Sequence, residues 1–174
     1  MQYHGLGSMS VNYKITDVSS TDPAYSASAI NTDHLFGANF GRGWVSRKFC
    51  DFPQVITIRF EYPVRLKTLQ FLCHETMISS RVELYFMPTE AISTSEQRRI
   101  GHFEFQNNLS SGPDSNSLQP VRELKTVHFG VTTKQITLHF YGPYQHKDNI
   151  FHQVGLISLR TIGEIIGGPP AQDD

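Results

Sequence analysis

Val55-Ile56-Thr57-Ile58-Arg59-Phe60 is the stretch that decides the fold. Ile56, Ile58 and Phe60 fall on one side of an extended chain and Val55, Thr57 and Arg59 on the other, the period-two pattern of a half-buried strand. The pattern recurs in Arg81 to Phe86, with Val82, Leu84 and Phe86 inward, and in Gln135 to Tyr141, with Ile136, Leu138 and Phe140 inward. Weaker strand segments are Asn12 to Val18, Leu66 to Cys73, Ile100 to Phe105, Leu124 to Phe129 and Val154 to Ile162. Most are flanked by Gly, Pro, Asn or Asp, which punctuate strands. About eight short strands without alternating helices predict an all-β domain, an antiparallel β-sandwich or barrel rather than a parallel α/β sheet. Within it Ile56, Ile58, Val82, Leu84, Ile136 and Leu138 should be buried. Thr89 to Arg99 has the only helical character, a short turn capped by Thr89 or Ser93. Gln106 to Pro120, rich in Ser, Asn, Gly and Pro, reads as a loop tip.

The 174 residues fit one domain with a continuous core. A composition of 39% hydrophobic and 18% charged residues is globular, and no apolar run approaches membrane-spanning length. Fifteen Lys and Arg against sixteen Asp and Glu leave no global field for a polyanion, so nucleic acid and membrane are not the expected partners. Cys50 and Cys73 sit in apolar segments without metal or redox spacing and read as buried thiols of a reducing compartment. Met1 to Met9 carries no secretory pattern, so the cytoplasm is the expected location. Gly7-Ser8-Met9 resembles a tag remnant, and residues 1–9 are expected to be tag or disordered, 10–166 the domain, and 167–174, with Gly167-Gly168-Pro169-Pro170, a linker to further chain. The glycosylation pattern at Asn108-Leu109-Ser110 matters only in a secreted protein.

No G-x-S-x-G elbow marks a nucleophile. Cys73-His74-Glu75 juxtaposes thiol, imidazole and carboxylate, but strand neighbours point to opposite faces. His139, His146 and His152 match no zinc spacing, and Asp17, Asp22, Asp33 and Asp51 form no calcium loop. The expectation is therefore no enzyme, no metal and no cofactor.

Residues 31–54, NTDHLFGANFGRGWVSRKFCDFPQ, concentrate aromatic and basic side chains of the kind enriched at interface hot spots. Trp44 and Phe49 are expected in the core. Leu35, Phe36 and Phe40, set among Gly and Asn, with Arg42, Arg47 and Lys48, are the candidate partner-binding residues, apolar groups for desolvation beside cations for steering. Three singly exposed apolar residues without a binding role are the alternative.

The order of blocks carries a resemblance. Gly43-Trp44-x-Ser46-x-x-Phe49-Cys50-x-Phe52-Pro53-Gln54, His74-x-x-Met77-Ile78-Ser79-Ser80-x-Val82-Glu83, Arg122-Glu123-Leu124-Lys125-x-Val127, Lys147-x-Asn149-Ile150-x-x-Gln153-Val154 and Ile162-Gly163 follow one another over nearly all of residues 11–165. The chain resembles the galactose-binding or discoidin type of jelly-roll, and within it the N-terminal domain of the centrosomal protein of 104 kDa family. Departures are the polar insertion at Gln106 to Pro120 and Lys48 in place of arginine. The resemblance implies a centrosomal, centriolar and ciliary-tip cytoskeletal protein. It also implies a non-catalytic interaction module whose partner is a protein, tubulin, a microtubule-associated protein or a centriolar coiled coil. Alternatives are a glycan- or lipid-binding discoidin module, or a jelly-roll subunit of an intracellular transport or ubiquitin-ligase complex.

Overall fold

The computed structural model describes residues 8–31, 43–107 and 122–168. Among them are eight strands: β1 (Met9–Ser10), β2 (Lys14–Val18), β3 (Trp44–Val45), β4 (Gln54–Cys73), β5 (Val82–Pro88), β6 (Arg98–Phe103), β7 (Leu124–Phe140) and β8 (Gly155–Ile165). Every pairing is antiparallel. Helical structure among the described residues is confined to 3-10 turns at Ala27–Asn31 and Thr94–Glu96. The helical character expected over Thr89 to Arg99 thus shrinks to one turn, whose Glu96 carboxylate accepts the amides of Ile92 and Ser93, and β6 already begins at Arg98.

Two pairs of expected strands prove to be single long ones. Residues 55–60 and 66–73 both belong to β4, and 124–129 and 135–140 to β7, and the two strands pair along almost their whole length. Pro63 and Gly130 separate the expected segments in sequence. Both fall where the ladder is irregular, between Arg59 and Val64 and between Leu66 and Thr68, positions at which a missing amide or side chain costs little. The irregularities fold the pair over on itself. Its first half joins β2, β5 and β6, and its second half joins β8, which also pairs β1 and β3. The halves face each other as the two layers of a sandwich, with strands switching sheets at a bulged corner. Trp44 of one layer lies 5.3 Å from the Phe140 ring of the other, and Phe71 lies 4.8 Å from Phe103.

The core is one cluster between the layers, and Ile56, Ile58, Val82, Leu84, Ile136 and Leu138 all belong to it. Trp44 is fully buried, as expected, and its indole N–H donates to Ser20 O at 3.0 Å, the partner a buried indole requires. Just before it Gly43 has φ 65°, and a Cβ there would stand 2.2 Å from Leu156 O. Only glycine lets the chain enter β3 so close to β8. Cys50 and Cys73 are both buried free thiols.

Candidate functional site

Starts and ends of the inner strands converge at one end of the sandwich, where loops 46–53, 74–81 and 141–154 meet. Their assembly is dense in hydrogen bonds. Ser46 N donates to Val154 O at 2.8 Å, and Val154 N donates back to Ser46 Oγ at 3.1 Å. Gln153 Nε2 donates to Ser46 O and to Asp22 Oδ2 at 2.6 and 3.1 Å. Asn149 brackets the Gln153 backbone with both ends of its amide, at 2.8 and 3.0 Å. Loop 74–81 joins through Gly155 N to Met77 O and Tyr144 N to Ile78 O, and the Tyr144 hydroxyl donates to Phe105 O at 2.9 Å. Among the buried side-chain polar atoms described in these loops only Arg81 Nε lacks a hydrogen-bond partner, and a network so nearly complete holds the loops in one arrangement.

On this rigid base two large apolar side chains face solvent, Phe49 at 71% exposure and Ile150 at 69%. The loops that carry them touch: Phe49 N donates to Phe151 O at 2.9 Å, and the two rings meet edge to face at 5.9 Å. Lys48 Nζ stands 3.9 Å above the Phe151 ring, a cation–π contact. Phe49 and His152 both have left-handed backbones, φ 51° and 52°. For residues this bulky that conformation is costly and persists only when the surroundings impose it.

The expectation that Phe49 lies in the core is therefore overturned. Its left-handed turn sends Cys50 inward and leaves the Phe49 ring outside. Arg47 and Lys48 are exposed beside it. Leu35, Phe36, Phe40 and Arg42 lie outside the described residues. Ile150 was quoted only as part of a family block; a large apolar residue in a loop otherwise made of His, Lys, Asp and Asn is the signal that could have singled it out. Beside Ile150 opens a shallow cavity of about 490 Å³ lined by Tyr144, His146, Lys147, Asn149 and His152.

The polar groups around Cys73, His74 and Glu83 are structural. Cys73 and His74 adjoin this end, but burial pushes the thiol up and out of the thiolate range. Burial also pushes the His74 imidazole down, and its Nδ1 faces the amides of Thr76 and Met77 at 3.1 and 3.2 Å. On the outer face of the β2–β4–β7–β5–β6 layer, Glu83 is 7% exposed. Oε1 accepts from Arg81 at 2.5 Å and Arg99 at 3.3 Å, and Oε2 accepts from the Tyr85 and Tyr141 hydroxyls at 2.8 and 3.2 Å. The Tyr85 hydroxyl first, with Tyr141 and Arg81, outweighs burial and holds the carboxyl at about 2. His139 stacks on Tyr85 at 4.7 Å on this face, remote from His146 and His152 in the loop. Among the described residues no group of three or more His, Cys, Asp or Glu is placed to hold a metal ion, and no helix is long and apolar enough to cross a membrane.

Comparison with solved structures bears on the architecture. A family 32 CBM from C. perfringens NanJ in complex with galactose superposes with TM-score 0.64, covering 89% of this chain and 98% of that one at 9% identity. A chain of reduced XRCC1 bound to the DNA pol beta catalytic domain gives 0.62, covering 88% and 98% at 13% identity. Both share the galactose-binding-like jelly-roll fold. Sequence relatives are nearer. The centrosomal protein of 104 kDa is 34% identical over 127 residues in Mus musculus and 33% over 130 in Homo sapiens, in each case across 70% of this chain. The match spans 13% of the length of those relatives. Residues 43–163, which hold β3 to most of β8 and all three converging loops, match the model of the "Centrosomal protein CEP104, N-terminal domain". The chain belongs to that family of centrosomal proteins.

Proposed function

We propose that this domain is a non-catalytic docking module of a centrosomal and ciliary-tip, microtubule-associated protein, and that it engages a protein partner with its loop end. The observation that carries the reading is the pair Phe49 and Ile150, held out to solvent from two loops whose backbones are locked from beneath. Exposed large apolar groups on a rigid base desolvate well and lose little entropy on binding, the properties of an interface anchor. Arg47 and Lys48 supply a cationic flank that would steer an acidic partner, tubulin or a charged coiled coil among them. Leu35, Phe36, Phe40 and Arg42 are proposed to extend the same surface.

A sugar-binding reading, suggested by the galactose complex among the structural neighbours, is less favoured. A glycan site needs free convergent polar groups. The Asn149 amide beside the cavity is engaged at both ends by the backbone, and the His152 ring packs against Phe52 at 5.6 Å.

Phe49→Ser with Ile150→Ser tests the proposal. The unaltered chain should co-sediment with microtubules or be recruited, as a fluorescent fusion, to centrosomes. The double variant should lose this with its thermal midpoint within about 2 °C of the original, since exposed residues carry little stability. Equal recruitment of both proteins, or a galactose-induced rise in midpoint that vanishes in the variant, would overturn it.

A further inference from the structure

The end of the sandwich opposite the loop cluster holds a second feature. A cleft of about 360 Å³ is lined by Tyr13, Lys14, Arg59, Phe60, Glu61 and Lys134 together with Asn12 and Thr16. Three of these are cations on three neighbouring strands. Lys14 of β2 stands directly opposite Arg59 of β4, and Arg59 opposite Gln135, the residue after Lys134 in β7. Like charges placed directly opposite across a ladder repel and destabilise a sheet. Nothing local offsets this: none of Lys14, Arg59 and Lys134 forms an ion pair or side-chain hydrogen bond with a described residue, and Glu61, the one carboxylate in the cleft, makes no ion pair either. The remaining cations of this layer behave otherwise. Arg81 and Arg99 bind Glu83, and Arg98 faces Glu90 at 3.9 Å.

We propose that this cleft is a binding site for an extended acidic segment of a partner protein, with carboxylates on alternate residues meeting Lys14 and Arg59 at one side and Lys134 at the other. The spacing suits such a ligand. Three adjacent strands span about 10 Å, and carboxylates two residues apart on an extended chain are about 6.6 Å apart, whereas a lone phosphate is too compact to engage the whole row. Nucleic acid fits worse. Tyr13 and Phe60 floor the cleft but are 5% and 2% exposed, leaving no ring face for a base to stack on, and one carboxylate against three cations is a weak match for a run of phosphates. The site is independent of the loop end, and variants at Phe49 and Ile150 leave it intact.

The test is a titration of the chain with a dye-labelled peptide bearing glutamate at alternate positions, followed by fluorescence anisotropy. Binding should weaken as salt rises, and Lys14→Glu with Arg59→Glu should lower affinity at least about tenfold. Lys14→Gln with Arg59→Gln, which removes charge without reversing it, should lie between and keep a thermal midpoint at or slightly above the original, separating loss of the site from loss of the fold. Peptide affinity unchanged in both variants overturns the proposal. So does equal or tighter binding of a single-stranded oligonucleotide, or competition by inorganic phosphate at the peptide's own concentration.

Discussion

The outer face of one sheet carries two groups of cations that look alike in sequence and behave differently in space. Near the loop end, Arg81 and Arg99 converge on Glu83, which also accepts two tyrosine hydroxyls. At the far end, Lys14, Arg59 and Lys134 line a cleft with no ion-pair partner among the described residues. The first group shares one carboxylate within the fold and gives the sheet a clamp across β5, β6 and β7. The second leaves its field in solvent. Charge on a surface therefore says little about binding until each partner has been found, because a cation already sharing a carboxylate has no strong interaction left to offer.

The contrast sets a ladder of expected effects. Leu84 adjoins Glu83 on β5 but points into the core, and Leu84→Ala should cost about 2–5 kcal/mol in chemical denaturation. Glu83→Ala, which strands two guanidinium groups and two hydroxyls, should cost about 1–3 kcal/mol, near the lower end of that scale. A loss no larger than that of Lys14→Ala would erase the distinction between the two groups. The acid dependence sharpens it. Glu83 has its carboxyl lowered from the ordinary 4.5 to about 2 in the folded protein, so its contribution is fully present above about pH 5 and is lost as pH falls through 4.5 towards 2. Glu83→Gln should flatten the stability profile in that window and leave the slope above it unchanged; an identical acid slope in both proteins would assign acid sensitivity elsewhere. The smallest effect has the opposite sign. Lys14→Gln removes a like-charge pair with Arg59 and should raise stability by about 0.2–0.5 kcal/mol, measurable as a shift in denaturation midpoint. A decrease would mean that Lys14 has a structural partner after all.

What could be read from the sequence follows the same division between local pattern and spatial partnership. The alternation at Ile56, Ile58, Val82, Leu84, Ile136 and Leu138 is local, and all six are core residues. The continuity of β4 and β7 was not legible because Pro63 and Gly130 interrupt the apolar alternation, and only the folded ladder reveals that irregular pairing absorbs them. Phe49 misled because hydrophobicity favours burial, whereas its φ of 51° goes with a bond to Phe151 about a hundred residues along the chain, a partner no local pattern reveals. Glu83 gave no signal at all: its partners Arg99 and Tyr141 come from β6 and just beyond β7, a juxtaposition that no window along the chain contains. Arg47 and Lys48 were legible as an exposed basic flank, since polar residues beside a tight turn rarely have anywhere else to go.

The long folded-over pair of β4 and β7 bears on how the molecule can move. Most sandwiches are two sheets linked by loops, so one layer can loosen while the other persists. Here both layers draw central strands from the same continuous ladder, from Gln54 opposite Phe140 to Leu72 opposite Leu124. Parting the layers would have to distort that shared ladder at its irregular corner, which couples the opening of one sheet to the opening of the other and favours unfolding as a single cooperative event. A gating motion that parts the layers would therefore have to distort both sheets at once.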